Sequence, residues 1–172
     1  MKTVHLLRHA KSSWKDPALA DHDRPLAKRG RKAAKTIAAY LKERRIAPDL
    51  VICSTAARAR QTFEPIAKAI KPPKVVLEEG IYEVAERELW QYLRALPEEA
   101  ESVLLIGHNP GMHDLALALA DAASRRRLPP PEGKFPAGAM ASFRFDGRWK
   151  ELRPGRAALA AFATLKEMAT ER

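Results

Sequence analysis

A chain of 172 residues with a net charge of +10 is long enough for one domain with a real core, spanning 1–172. Its single cysteine, Cys53, rules out an internal disulfide and makes a reducing cytoplasm the default. No apolar run approaches the roughly 18 residues of a membrane span, and His5 and Arg8 interrupt the first apolar segment, so neither a membrane anchor nor a signal peptide is expected.

Thr3 to Leu7 is a short apolar run that suits a strand buried on both faces, and it ends abruptly in Arg8 and His9. Lys15 to Arg24 is polar, contains Pro17 and three aspartates, and reads as a loop passing over that strand end. Pro25 is expected to start a helix, whose inward face is Ala34, Ile37, Ala38 and Leu41 at helical spacing. Gly30, costly in a helix, marks a close backbone approach. This stretch is also the most basic: Lys28, Arg29, Arg31, Lys32, Lys35, Lys42, Arg44 and Arg45 are opposed only by Glu43. Such a field attracts phosphates on nucleic acid, small molecules or proteins, or is simply a solvated helix face.

Pro48 closes that unit, and Leu50 to Cys53 reads as a second buried strand followed by Ser54, Thr55 and Arg58. A helix is expected over 56–70, a third strand over 74–77, a loop over 78–83 and a helix over 85–96 with Leu89, Leu93 and Leu96 inward. Ser102 to Ile106 is the clearest strand in the chain, followed by Gly107-His108-Asn109-Pro110-Gly111 and a helix facing inward through Leu115, Ala116 and Leu119. The stretch 122–136, with Arg125-Arg126-Arg127 and three prolines, reads as an exposed loop. Asp146-Gly147 predicts a hairpin between 140–145 and 149–152. A last helix is expected from about Arg156, with Ala158, Ala161, Phe162 and Leu165 inward. The alternation argues a three-layer α/β/α domain with a mainly parallel sheet and a late antiparallel hairpin.

Three strand ends carry the same chemistry: Arg8 and His9, then Arg58, then His108. In one open sheet they converge on a single pocket. Two arginines and two histidines without a carboxylate make a poor metal site and a good phosphoryl site. The pieces Leu7-Arg8-His9-Ala10-Lys11-Ser12-Ser13-Trp14, Asp23-Arg24-Pro25-Leu26 with Gly30, Ser54 to Thr62, Gly107-His108-Asn109-Pro110-Gly111 and Lys134 to Ala139 stand in an order that resembles the histidine phosphatase, or phosphoglycerate-mutase-like, superfamily. Within it the chain is most similar to the short bacterial phosphohistidine phosphatases of the SixA type.

The resemblance implies that His9 is a nucleophile that becomes phosphorylated, that Arg8, Arg58 and His108 hold the phosphoryl oxygens, and that Ser12 or Ser13 adds a hydroxyl contact. It implies no metal and no organic cofactor. His9 must then be neutral, its second ring N–H bonded to a backbone carbonyl. Ala10 stands where the family usually has glycine. A general acid is less defined: Glu83 is the best positional match, with Asp16, Asp21 and Asp23 as alternatives, and each also reads as a solvated loop carboxylate. That bears on the substrate. Hydroxide-like alkoxides derive from acids of pKa about 15.7, whereas imidazole leaves as the base of an acid of pKa near 6.5. At roughly 1.4 kcal/mol per unit the gap is on the order of 12 kcal/mol in leaving-group stability, so a phosphoramidate can dispense with an acid where a sugar phosphate cannot.

The leading expectation is a phosphohistidine phosphatase acting on a phosphorylated protein such as a histidine phosphotransfer domain. The alternatives are a small-molecule phosphomonoesterase using Glu83 and, from another class, a basic nucleic-acid-binding protein. Sparse aromatics and the unexplained histidines argue against the last, and a monomer without nucleic-acid or membrane partners is expected. Cys53 and His5 read as core residues, His22 and His113 as solvent-facing, Trp14 as pocket rim or loop packing, and Arg60 as a surface residue. The Arg125–Arg127 run reads as a solvated loop that could also steer a phosphorylated partner.

Overall fold

The computed structural model describes residues 1–170. Six strands form one sheet: β1 (Lys2–Arg8), β2 (Leu50–Ser54), β3 (Val75–Glu78), β4 (Ser102–Gly107), β5 (Met140–Phe145) and β6 (Ala158–Ala163). The order across it is β3-β2-β4-β1-β5-β6, with β3, β2, β4 and β1 mutually parallel and β5 antiparallel to both β1 and β6. The helices are α1 (Lys28–Glu43), α2 (Ala57–Ile70), α3 (Glu86–Arg94), α4 (Gly111–Leu119), α5 (Ala122–Arg125) and α6 (Leu165–Thr170).

Side chains of a buried strand alternate between faces, and here they feed two cores. Leu7, Val51, Cys53, Leu104 and Ile106 pack beneath α1, α2 and α6, meeting Ile37, Leu41, Phe63, Ile66 and Met168. Val4, Leu6, Ile52, Val103 and Leu105 face the other way onto α3 and α4, meeting Leu89, Leu93, Leu115 and Leu119. This is the expected three-layer α/β/α arrangement. His5 lies buried on β1 with Nδ1 2.7 Å from the Ser142 hydroxyl, and Cys53 is a buried apolar residue, its thiol pushed up to about 12 by burial. At Gly30 a Cβ would collide with the Lys11 carbonyl, so the close approach expected there is real.

The C-terminal third corrects the sequence reading. The segment 149–152 is no strand: Trp149–Glu151 is a 3-10 turn, and the partner of β5 is β6. The expected helix from Arg156 is in fact β6, and the helix begins only at Leu165. Ala158 is exposed, while Leu159, Ala163 and Met168 supply the buried positions. The alanine-rich run has good helix propensity, but pairing with β5 completes the sheet and overrides it.

Other elements differ in detail. Pro25 does not start α1: its carbonyl accepts the Ser13 N–H at 2.8 Å, Leu26 bridges to Ser12, and the helix begins at Lys28. The expected loop 122–136 opens with α5 and buries Phe135, while Arg127 donates to the Leu159 carbonyl at 2.8 Å. His113 is buried rather than solvent-facing, with its Nε2–H donating to the Pro129 carbonyl at 2.9 Å.

Candidate active site

The register of the central strands creates the site. Arg8 lies opposite Gly107, so the residues that follow each strand, His9 and His108, leave the sheet side by side with ring centroids 5.1 Å apart. Strand β2, on the far side of β4, ends at Ser54 and leads into α2, whose first turn carries Arg58. The three strand ends border one cleft of about 680 Å3, at the carboxyl edge of the sheet where a change in strand order opens a crevice.

Each side chain is fixed by its neighbours. The Nδ1–H of His9 donates to the Ala10 carbonyl at 2.7 Å, which leaves Nε2 with the free lone pair. The Ala10 N–H is held by the Thr62 hydroxyl at 3.0 Å, and that hydroxyl donates to the Arg58 carbonyl at 2.7 Å, tying the turn after β1 to α2. His108 Nε2 lies 2.7 Å from the Ser54 hydroxyl, while its Nδ1 stands 3.6 Å from Glu83 Oε1. A carboxylate at that range favours the proton on Nδ1, with Nε2 accepting from Ser54. Arg8 donates to the Phe135 carbonyl at 2.9 Å, and the Asn109 amide shares that acceptor at 2.8 Å.

Arg58 is 2 % exposed and engages two carboxylates. Its Nη2 reaches Glu83 Oε1 at 2.8 Å and Asp21 Oδ2 at 3.0 Å, and its Nη1 donates to the Asp21 carbonyl at 2.7 Å. Asp21 also accepts from the Tyr82 hydroxyl and lies 3.3 Å from Arg24 Nε. Glu83 reaches this position from a left-handed backbone, φ +51°.

Arg24 is a site residue that the sequence reading left without a role. It is buried, its guanidinium carbon lies 3.3 Å from the centroid of the Trp14 ring, and its Nη2 donates to the Ser12 hydroxyl at 2.7 Å. The only signal for it was its place in Asp23-Arg24-Pro25-Leu26. Asn109 and Thr62 stood in the quoted motifs without a role, and Tyr82 was missed, because a single polar residue in a loop carries no pattern. Of the hydroxyls, Ser12 lines the cleft and Ser13 does not: Ser13 Oγ accepts the Lys15 N–H at 3.2 Å. Of the aspartates only Asp21 reaches the cleft; Asp16 caps Ala18, and Asp23 lies beside His22 at 3.7 Å. His22 is only half-buried and bonds Thr55 through Nε2, Arg60 donates to the Thr55 carbonyl at the surface, and Trp14 is a rim residue, 76 % exposed.

Around this cleft several buried donors have no hydrogen-bond partner: Arg8 Nε, Arg24 Nη1, Arg58 Nε and His108 Nδ1, the last with Glu83 at 3.6 Å. Buried N–H groups are costly to leave unpaired, and positively charged donors around one cleft suit an anion. The same surroundings keep the imidazoles neutral. Burial pulls His9 down to about 4; its bond to Ala10 opposes this, and the charges of Arg58, Arg8 and Arg24 add to it. Burial also pulls His108 down to about 3, reinforced by His9 and Arg58. Asp21 is held below the usual carboxylate range, first by the Tyr82 hydroxyl. Among the described residues no group of three or more His, Cys, Asp or Glu is placed to hold a metal ion.

The sequence profile of the histidine phosphatase superfamily (branch 1) matches residues 4–112, which include Arg8, His9, Arg24, Arg58 and His108. The chain belongs to the histidine phosphatase superfamily. Within it the chain is of the SixA type, and phosphatase chemistry is the activity its family and neighbours support. An uncharacterized protein of Mycobacterium tuberculosis is 37 % identical over 161 residues, covering 91 % of this chain and 98 % of that one. Among solved structures, a protein of Agrobacterium tumefaciens provisionally assigned as phosphohistidine phosphatase SixA superposes with TM-score 0.81 at 31 % identity, over 95 % of this chain and 97 % of that one. One of Nakamurella multipartitia with the same provisional assignment gives TM-score 0.80 at 30 % identity, over 95 % of each. No helix among the described residues is long and apolar enough to cross a membrane.

Proposed function

We propose that this chain is a phosphohistidine phosphatase that works through a covalent phosphohistidine on His9, with a phosphorylated protein as substrate. The observation that carries the reading is the neutral His9 ring, its Nδ1–H committed to a carbonyl and its Nε2 free, among buried donors with no partner. Nε2 attacks phosphorus, and the phosphorus–nitrogen bond to the substrate imidazole, whose other ring nitrogen carries a proton, breaks to release neutral imidazole. Positive charge grows on the His9 ring as the bond forms, and the Ala10 carbonyl, accepting from Nδ1–H, stabilises it. Arg8, Arg24, Arg58 and His108 donate to the equatorial oxygens, and Ser12 fixes Arg24. Water then attacks the phosphorus, the Nε2–phosphorus bond breaks to return neutral His9, and the water protons leave with the phosphate.

Both cleft carboxylates are engaged by Arg58, which favours a substrate whose leaving group needs no proton. Arg58 must exchange part of that engagement for phosphoryl oxygens when substrate binds. The open cleft with Lys11 and Arg29 on its wall admits a phosphorylated side chain presented by an acidic protein. One observation favours a second reading: Glu83 lines the cleft and approaches His108, as an acid for an alkyl phosphate would.

A panel of phosphohistidine, acyl, aryl and alkyl phosphates separates the two readings. Phosphohistidine should be hydrolysed fastest and Glu83→Gln should have a small effect that does not depend on substrate. A loss beyond about 100-fold confined to alkyl phosphates would make Glu83 the acid and the chain a small-molecule phosphatase. An alkaline quench should trap phosphate on His9, and His9→Ala should fold but not turn over. Phosphate on any other residue would refute the nucleophile.

A further inference from the structure

Strand β3 is an edge that the fold leaves unusually apolar. It pairs with β2 alone, and Val75, Val76 and Leu77 are 42 %, 37 % and 51 % exposed in succession. Soluble proteins guard such edges with charge, proline or a covering segment, because the free N–H and C=O groups are a template for another strand. Here charge stands only at the two ends, as Lys74 and Glu78.

The backbone polarity of the strand is fixed by its inner neighbour. The Val51 N–H donates to the Lys74 carbonyl at 2.9 Å, so the backbone groups of Lys74, and by alternation those of Val76 and Glu78, point at β2. Those of Val75 and Leu77 point outward. The segment Lys74-Val75-Val76-Leu77-Glu78 therefore keeps its hydrogen-bonding direction, and presents the complementary charge at each end, when turned end over end.

We propose that β3 pairs with β3 of a second copy of this chain, antiparallel, about a two-fold axis through Val76. In this register Val75 and Leu77 of the second copy form a hydrogen-bonded pair, twice, using the groups that face outward. Val76 meets its own copy in the closer, non-hydrogen-bonded position. Lys74 stands opposite Glu78 at both ends, also in close positions, and opposite charges there are favourable. Glu78 is engaged by Tyr92 and accepts from the Gly80 N–H at 3.5 Å, which leaves further lone pairs for Lys74. The contact is isologous, so it closes as a dimer and does not run on as a fibre. The six-stranded sheet becomes one of twelve, against the monomer expected from sequence. Strand β3 also leads through the 3-10 turn Glu79–Ile81 into Tyr82 and Glu83, so pairing braces the root of the segment that meets Arg58.

Analytical ultracentrifugation of the full chain over a concentration series tests this. The wild type should show a reversible monomer–dimer equilibrium, and Val76→Lys should be monomeric with an unchanged circular dichroism spectrum. Lys74→Glu and Glu78→Lys should each weaken self-association by at least about tenfold, since each turns two attractive pairs into two repulsive ones. An equimolar mixture of those two variants should dimerise again, because only the mixed pair restores both attractions. A wild type that stays monomeric at every concentration, a dimer indifferent to Val76→Lys, or a mixture no stronger than its components overturns the proposal. The charge variants at Lys74, exposed, and Glu78, half-buried, keep the test decisive if Val76→Lys does not fold.

Discussion

At the scale of single residues the site is a set of charges held in place by one another. Arg58 shows why residue type matters there: its fork engages Asp21 through two nitrogens and Glu83 through one, with Nε buried and unpaired. Lysine supplies charge without that planar geometry. Arg58→Lys is expected to lower kcat/KM by roughly 10²–10³, the usual cost of losing one positioned donor; steady-state kinetics on an aryl phosphate would measure it, and wild-type turnover would place Arg58 outside the reaction. His9 makes a second prediction. With its pKa pulled down to about 4, the ring is neutral and nucleophilic at any higher pH. The acid limb of kcat/KM, after correction for ionisation of the substrate, should therefore fall near pH 4 rather than near the ordinary histidine value of about 6.5. A limb near 6.5 would mean that His9 is more solvated than its surroundings indicate.

At the scale of elements, the parts legible in the sequence were those with a period or a strong punctuation mark. The α1 face Ala34, Ile37, Ala38, Leu41 is buried as its spacing predicts, and the apolar run Ser102 to Ile106 lies within β4. Arg8, His9, Arg58 and His108 were visible because each follows a buried strand closely. Long-range pairing was not visible: nothing local tells Ala158 to Ala163 that β5 is waiting for a partner, and an alanine run carries no alternation to betray a strand. Arg24 was hidden for a related reason, since its value lies in Trp14 and Asp21, which meet it only in three dimensions. Gly30 was legible through its conformational cost, and it gives an element-level prediction. The Lys11 carbonyl that a Cβ would strike also accepts the Ala27 N–H at 2.9 Å, joining the start of α1 to the turn after β1. Gly30→Ala should destabilise the fold by about 1–3 kcal/mol, as overpacking does. It should also reduce activity by shifting Ser12 and Arg24, and thermal melts alongside kinetics would test both.

At the scale of the whole molecule, three histidines are folded in a neutral state. His5 and His9 are pulled down to about 4 and His108 to about 3, burial being the first cause in each case. Unfolding returns each to about 6.5, so between these limits the unfolded chain binds more protons and stability rises with pH. The contribution is complete above pH 6.5 and is lost as pH falls towards 3–4. Denaturant titrations should show stability declining through that window, and replacing His5 with Gln should make the decline shallower; a flat profile would mean the three rings stay neutral on unfolding or are charged in the fold. One further consequence follows from where β1 lies. It comes first of the six strands, yet both its neighbours, β4 and β5, begin only at residues 102 and 140. During synthesis Arg8 and His9 must wait, without a sheet to hold them, until most of the chain has left the ribosome. The Arg8 N–H itself bonds the Ala139 carbonyl. An emerging or prematurely terminated chain should therefore be silent, and a stalled product ending before β5 should carry His9 but show no phosphatase turnover.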